Sequence, residues 1–271
     1  MIKRTLIAAG ALAISAAAPS YAQEASQTAA QDVQNIVERA SAAAYYQGKD
    51  GRASVHMSIL DGQGRERTRD FVILRTDVDD VDNGEQRFYV FFSRPADVNK
   101  TGFLVWKHAD ANDDRWLYLP ALDLVKRIAP SDERTSFVGS HFFYEDVSGR
   151  GPAEDNHVLE EETDAYYVVN STPKDAKGVE FASYKNWIHK TTFIPVKTEY
   201  YDASGEIYRT YTATAVDTID GKPTVVEATM ADLRIGGETR MSYGDVAYDL
   251  DLPEDIFTER YLRNPPRRHL R

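Results

Sequence analysis

From Ala53 onward the apolar residues recur with a period of two, and this pattern confines most of the chain to β-structure. Val55, Met57 and Ile59 alternate with His56 and Ser58. Asp61-Gly62-Gln63-Gly64 is turn chemistry, and residues 65–76 return as a second strand ending in Phe71-Val72-Ile73-Leu74. Further strands are predicted over 86–93 (Phe88-Tyr89-Val90-Phe91-Phe92), 102–107 (Phe103-Leu104-Val105-Trp106) and 115–119 (Trp116-Leu117-Tyr118-Leu119). Short polar connections make these an antiparallel meander of hairpins. The second half repeats the style over 156–162, 165–171, 180–187, 193–201, 206–216, 224–233 and 238–248. Asp202-Ala203-Ser204-Gly205, Asp220-Gly221 and Gly236-Gly237 mark turns that tolerate positive φ. About a dozen hairpin-linked strands without intervening helices predict one twisted, curled antiparallel sheet and a single domain.

Two segments break the period. Residues 25–46 carry Val33, Ile36, Val37, Ala40, Ala44 and Tyr45 at spacings of three and four, which predicts one amphipathic helix stopped by Gly48. Residues 130–152 mix polar groups with a dense aromatic cluster, Phe137, Phe142, Phe143 and Tyr144. A long aromatic insertion in a β protein suits a lid over a binding site, and equally a plug closing one end of the sheet.

The amino terminus reads as a secretory leader. Lys3 and Arg4 precede an apolar run from Leu6 to Ala18, and Ser20-Tyr21-Ala22 offers a small-residue cleavage site, so the mature chain is expected to start near Gln23. The run falls short of the ~20 residues a spanning helix needs. The expected domains are therefore a signal peptide over 1–22 and one half-barrel domain over 23–271, and the expected location is the periplasm. Loss of Lys3 and Arg4 takes the formal charge from −11 to −13, which disfavours nucleic acid as a partner. The basic carboxyl end, from Arg263 to Arg271, reads as a solvated tail. With no cysteine the chain has neither disulfides nor thiolate chemistry, so its own core must hold the fold.

Catalytic and metal signatures fail one by one. His56, His108, His141, His157, His189 and His269 form no metal-spaced pair, and no H-E-x-x-H occurs. Counting a calcium loop from Asp79 puts Val81 in the third place and Val90 in the twelfth, where ligands are needed. Ser140, His141 and Asp146 supply the residue types of a hydrolase triad, without a Gly-x-Ser-x-Gly elbow. Glu160-Glu161-Glu162 reads as a solvated strand end. No enzyme, cofactor or metal is expected. What remains is apolar and aromatic surface, and a hydrocarbon guest could cover a concave apolar face at about 0.8 kcal/mol per buried CH₂.

The run Arg115-Trp116-Leu117-Tyr118-Leu119-Pro120, then Arg127-Ile128, then Ser136-Phe137-Val138-Gly139-Ser140 with Phe143-Tyr144-Glu145-Asp146, resembles the LolA-like outer-membrane lipoprotein-sorting family. Within it the match is to the branch that often accompanies RND-type lipid exporters. Residues 187–201 and 256–262 share the resemblance. It implies a half-open β-barrel of about eleven strands with an N-terminal helix and a helical or loop lid. It also implies a periplasmic carrier that accepts a lipid or lipoprotein acyl chain from an inner-membrane RND-type exporter and passes it towards the outer membrane. Members of this branch typically have Asp after the Gly-Ser pair, where His141 stands here, so the lid contact of that acid is expected to differ.

On this reading the cavity residues are Val55, Met57, Ile59, Phe71, Ile73, Phe88, Val90, Phe92, Leu104, Trp106, Trp116 and Tyr118. The lid carries Phe137, Gly139, Ser140, His141, Phe143, Tyr144 and Asp146, and the protein is expected to act as a monomer. A one-residue error in register would invert any strand's assignment. Competing readings are an outer-membrane barrel, a periplasmic hydrolase acting on lipid or glycan, and an accessory subunit of an exporter that binds no lipid.

Overall fold

The computed structural model describes residues 21–79 and 81–271. Of the leader assigned to 1–22, residues 1–20 lie outside the described residues, as does Asp80 of the acidic loop. Helix α1 (Tyr21–Tyr45) is followed by β1 (Asp50–Asp61), β2 (Glu66–Asp77), β3 (Gln86–Arg94), β4 (Gly102–Lys107), β5 (Asp114–Leu119) and β6 (Leu124–Ile128). After a connector that contains the single-turn helix α2 (Glu145–Ser148) come β7 (Asp155–Glu162), β8 (Tyr166–Pro173), β9 (Ser183–His189) and β10 (Pro195–Tyr201). The chain ends with β11 (Ile207–Ile219), β12 (Lys222–Asp232), β13 (Gly237–Tyr248) and the short helix α3 (Glu259–Arg263).

All thirteen strands form one antiparallel sheet in the order β6-β5-β4-β3-β2-β1-β13-β12-β11-β10-β9-β8-β7. Each half is a meander, and the first and last strands join the halves through the pairs Val55–Tyr243 and Met57–Met241. The sheet is curled and unclosed, and it has thirteen strands where the resemblance implies about eleven. The additional β6 escaped the sequence reading because Leu124, Lys126 and Arg127 are exposed and show no apolar alternation. Register shifts in β1, β10 and β11 help the strands bend.

This topology dictates where the aromatic insertion runs. β6 and β7 are consecutive in the chain yet occupy opposite edges, so residues 129–154 must cross the open side of the sheet. They cross over the concave face. Phe137 packs against Phe71, Phe92 and Phe103 of β2–β4, and Asp146 reaches Arg209 of β11.

Both faces of the first half are buried. The concave layer holds Val55, Met57, Ile59, Phe71, Phe88, Val90, Phe92, Phe103 and Val105 under the connector's Phe137, Phe142 and Tyr144. The convex layer holds Leu74, Tyr89, Leu104 and Trp116 under Leu252, Ile256, Phe257 and Leu262 of the carboxyl-terminal segment. That segment is pinned by backbone carbonyls: Trp106 Nε1–H donates to Phe257 O at 2.7 Å, and the Tyr89 hydroxyl to Tyr261 O at 2.8 Å. At Gly102 a Cβ would stand 3.0 Å from Leu262 Cδ2, so the glycine lets this carboxyl-terminal strap lie close on β4. The tail read as solvated is therefore part of the fold as far as the buried Pro266 and half-buried Leu270.

Helix α1 packs Val33, Ile36, Val37 and Ala40 on Val169, Ile188 and Phe193 of the second half. It therefore covers the β7–β9 side, and the connector covers β1–β4.

Candidate ligand cavity

Between α1, the connector and the concave face lies a cavity of about 380 Å³, within the range of ordinary small-molecule sites. One wall is aliphatic and aromatic: Ala53 of β1, Phe71 and Ile73 of β2, Phe88 and Val90 of β3, and Met230 and Met241 of β12 and β13. Val37, Ala40 and Ala44 of α1 add small side chains to the roof, and Phe137, Phe142 and Val147 of the connector close one end. Exposed Ala44 and half-exposed Gln47, Arg52 and Pro223 stand where the cavity meets solvent.

The opposite wall is lined with phenols. Tyr45, Tyr184, Tyr200, Tyr211 and Tyr243 all border the cavity. Burial, reinforced by the Asp146 carboxylate, pushes the Tyr200 and Tyr243 hydroxyls up to about 12. Tyr45 and Tyr211 are raised as well, again by burial first. All four hydroxyls therefore stay protonated at physiological pH and act as neutral polar groups. Tyr184 donates to Asp155 at 2.7 Å, whereas the Tyr200 and Tyr211 hydroxyls have no hydrogen-bond partner among the described residues.

Ion pairs clamp the connector over this wall. Arg134 bridges Glu145 and Glu180, and Arg150 bridges Asp155 at 2.9 Å and Glu145 at 3.1 Å. Burial alone would raise the Glu180 carboxyl, but Arg134 outweighs it and holds the group at about 2. Arg115 fastens the connector's start through Glu133 at 2.5 Å. Arg209 is wholly buried, ion-paired with Asp146, and donates to His141 O at 3.1 Å. Its guanidinium carbon lies 3.8 Å from the Phe143 ring centre and 5.0 Å from that of Tyr200, a cation–π arrangement. This offsets part of the cost of its two nitrogens, Nε and Nη1, that have no hydrogen-bond partner among the described residues.

The residues singled out from the sequence divide by face. Val55, Met57, Ile59, Phe71, Ile73, Phe88, Val90 and Phe92 share the concave side, and of these Phe71, Ile73, Phe88 and Val90 border the open space. Val55, Met57, Ile59 and Phe92 lie in the packed core beside it. Leu104, Trp106, Trp116 and Tyr118 stand on the convex face with the carboxyl-terminal strap, so their assignment to the cavity is corrected. Phe103, Val105 and Leu117 take the concave positions instead. The physical reason is that β4 and β5 are covered on both sides, which removes the polar half of the alternation that tells the faces apart.

The connector residues take distinct places. Phe137 and Tyr144 are core, while Gly139 is exposed with φ of +79°. Ser140 Oγ caps the turn at Phe142, and Phe143 stacks on Arg209. The His141 backbone N–H donates to Thr239 Oγ1 at 3.0 Å, and its Nδ1 lies 2.8 Å from the same oxygen. Burial lowers the His141 pKa, so the ring is neutral at neutral pH. Ser140, His141 and Asp146 thus bond to Phe142, Thr239 and Arg209, and not to one another. Sequence reasoning missed the tyrosines of β9–β13, because no local pattern tells an inward strand tyrosine from an outward one. Among the described residues, no group of three or more His, Asp or Glu side chains is placed to hold a metal ion.

A model of a family described as uncharacterized proteins matches residues 84–264. No curated protein matches the chain. Among solved structures, a DUF1329 family protein from Desulfovibrio piger is 28% identical with a TM-score of 0.79, over 86% of this chain and 99% of that one. A protein from Vibrio parahaemolyticus, described as an outer membrane lipoprotein-sorting protein domain, is 27% identical with a TM-score of 0.77, over 86% and 99% of the two chains. A LolA superfamily protein from Nitrosomonas europaea shares the fold at 22% identity and a TM-score of 0.64, over 84% and 98% of the chains.

Proposed function

Because this chain belongs to the LolA-like outer-membrane lipoprotein-sorting family, we propose that it is a non-enzymatic periplasmic carrier whose cavity takes the hydrocarbon chain of a lipid or lipoprotein. The observation that carries the proposal is the space of about 380 Å³ left on the concave face, bordered by Phe71, Ile73, Phe88, Val90, Met230 and Met241. An apolar wall left in water is costly at about 25 cal/mol per Å². A guest chain removes that cost without any catalytic group.

In this reading the leader over 1–22 is cleaved before Gln23, and the domain over 23–271 acts as a monomer in the periplasm. It receives its cargo from an inner-membrane exporter of the RND type and passes it towards the outer membrane. The connector over 129–154 is the element that must yield for a long chain to enter, since it runs across the sheet's open side from one edge to the other.

The test is native mass spectrometry of protein isolated from its own periplasm, followed by organic extraction of the bound material. A mature mass starting near Gln23 with one co-purifying lipid or acylated species is the expected result. Protein that carries nothing, and that fails to displace an environment-sensitive dye when offered lipids, overturns the carrier reading.

A further inference from the structure

Resting on that carrier reading, we infer that Tyr200 and Tyr211 form a polar subsite inside the cavity that selects lipids whose buried polar group is an uncharged oxygen, an ester carbonyl or a hydroxyl. The two tyrosines stand on adjacent strands, where Tyr200 pairs with Arg209 and Thr198 with Tyr211, so both rings leave the same face of the sheet one step apart. Among the described residues neither hydroxyl has a hydrogen-bond partner, whereas the neighbouring Tyr184 hydroxyl is paired with Asp155. Both hydroxyls open onto the cavity and are not among the sealed, unpaired polar atoms of the interior, so a guest oxygen or a water can complete them.

The charge around the pair decides the chemistry of that guest. Two carboxylates, Glu145 and Asp146, border the cavity on the phenol side. The cations there are already committed: Arg150 to Asp155 and Glu145, and Arg209 to Asp146. Arg75, across the cavity, is held by Asp77 and by the carbonyls of Tyr45, Gln47 and Gly48. Arg52, at the solvent edge, has no carboxylate within ion-pair distance among the described residues, and it bonds to Asp245 O and Ser54 Oγ. A phosphate or carboxylate head carried inward would meet Asp146 without a free counter-charge, whereas a neutral oxygen accepts from a phenol at no such cost. Charged heads therefore stay at the Arg52 edge, and the neutral oxygen sits at the tyrosine pair.

The experiment is displacement of a naphthylamine dye from the full mature chain by four probes of equal chain length: dodecane, methyl laurate, monolauroylglycerol and laurate. Wild-type protein is compared with Tyr200→Phe, Tyr211→Phe and the double variant. The expected result is that methyl laurate and monolauroylglycerol lose about tenfold in affinity in the double variant, the equivalent of one to two ordinary hydrogen bonds. Dodecane and laurate are expected to hold their affinity. Equal loss for laurate, or no loss for the ester and the glyceride while all probes bind, overturns the subsite and leaves the carrier standing. If none of the four probes displaces the dye from wild-type protein, the carrier reading falls and the subsite with it. Dodecane binding unchanged across the variants is the control that their cavities are intact.

Discussion

Phe137 is the side chain on which the connector's closure of the sheet depends most directly, and its removal gives a quantitative test. The ring is almost wholly buried and lies 5.4 Å from Phe103, 5.6 Å from Tyr144, 5.7 Å from Phe92 and 6.4 Å from Phe71, measured between ring centres. It thus ties β2, β3 and β4 to the connector through one residue. A buried Phe→Ala change costs about 3–5 kcal/mol from lost transfer energy and the cavity left behind. Aromatic pairs add roughly 0.5–1.5 kcal/mol each beyond area, which puts Phe137→Ala at the upper end of that range. Phe143 gives the contrast: it is half-buried and stacks on Arg209, so Phe143→Ala should cost less, on the order of 1–2 kcal/mol. Urea denaturation followed by circular dichroism reads both values, with an unchanged slope showing that the unfolded states are comparable. The new void adjoins the existing cavity, since Phe137 already borders it. A long-chain lipid should therefore restore more stability to Phe137→Ala than to wild type, by mass action on the native state. A loss below about 1 kcal/mol would refute the claim that this ring plugs the sheet, because 3–5 kcal/mol is the ordinary cost at a filled core position.

Three further outcomes follow from the same geometry. Asp146→Asn leaves Arg209 buried without its counter-charge and should destabilise the fold by about 3–5 kcal/mol in urea melts; replacing both residues by apolar ones should recover most of that loss. Lys107 is buried against Ser148 O, and burial lowers its pKa to about 8 from an ordinary 10.5. The unfolded chain therefore binds the extra proton between those values, and stability should rise with pH from 8 to 10, by on the order of 2 kcal/mol. Lys107→Met should flatten that rise, while above pH 10 the raised phenols reverse the slope in both proteins, because their unfolded forms ionise first. Trp106→Phe removes the bond to Phe257 O and should cost about 1 kcal/mol of stability, yet leave dye displacement by lipids unchanged because the ring lies on the convex face; altered displacement would put Trp106 back in the cavity.

The sequence alone was enough for whatever depends on neighbours along the chain. Alternation at Val55, Met57 and Ile59 gave the right face, since one side of β1 is packed and the other carries half-exposed Ser54 and exposed His56. The helical stripe through Val33, Val37 and Ala40 was legible for the same reason. Three decisions belonged to the tertiary structure. Phe103-Leu104-Val105-Trp106 is apolar throughout because a strap from the far end of the chain covers its outer side, and no local pattern announces a cover that arrives about 150 residues later. The route of residues 129–154 across the cavity exists only because β1 pairs with β13 and sends β6 and β7 to opposite edges. Tyr200 and Tyr211 look like any strand tyrosines until the curl of the sheet turns them inward. Periodicity encodes which side of a strand is dry, but what lies against that side, another strand, a strap or an empty space, is set by contacts between residues far apart in sequence.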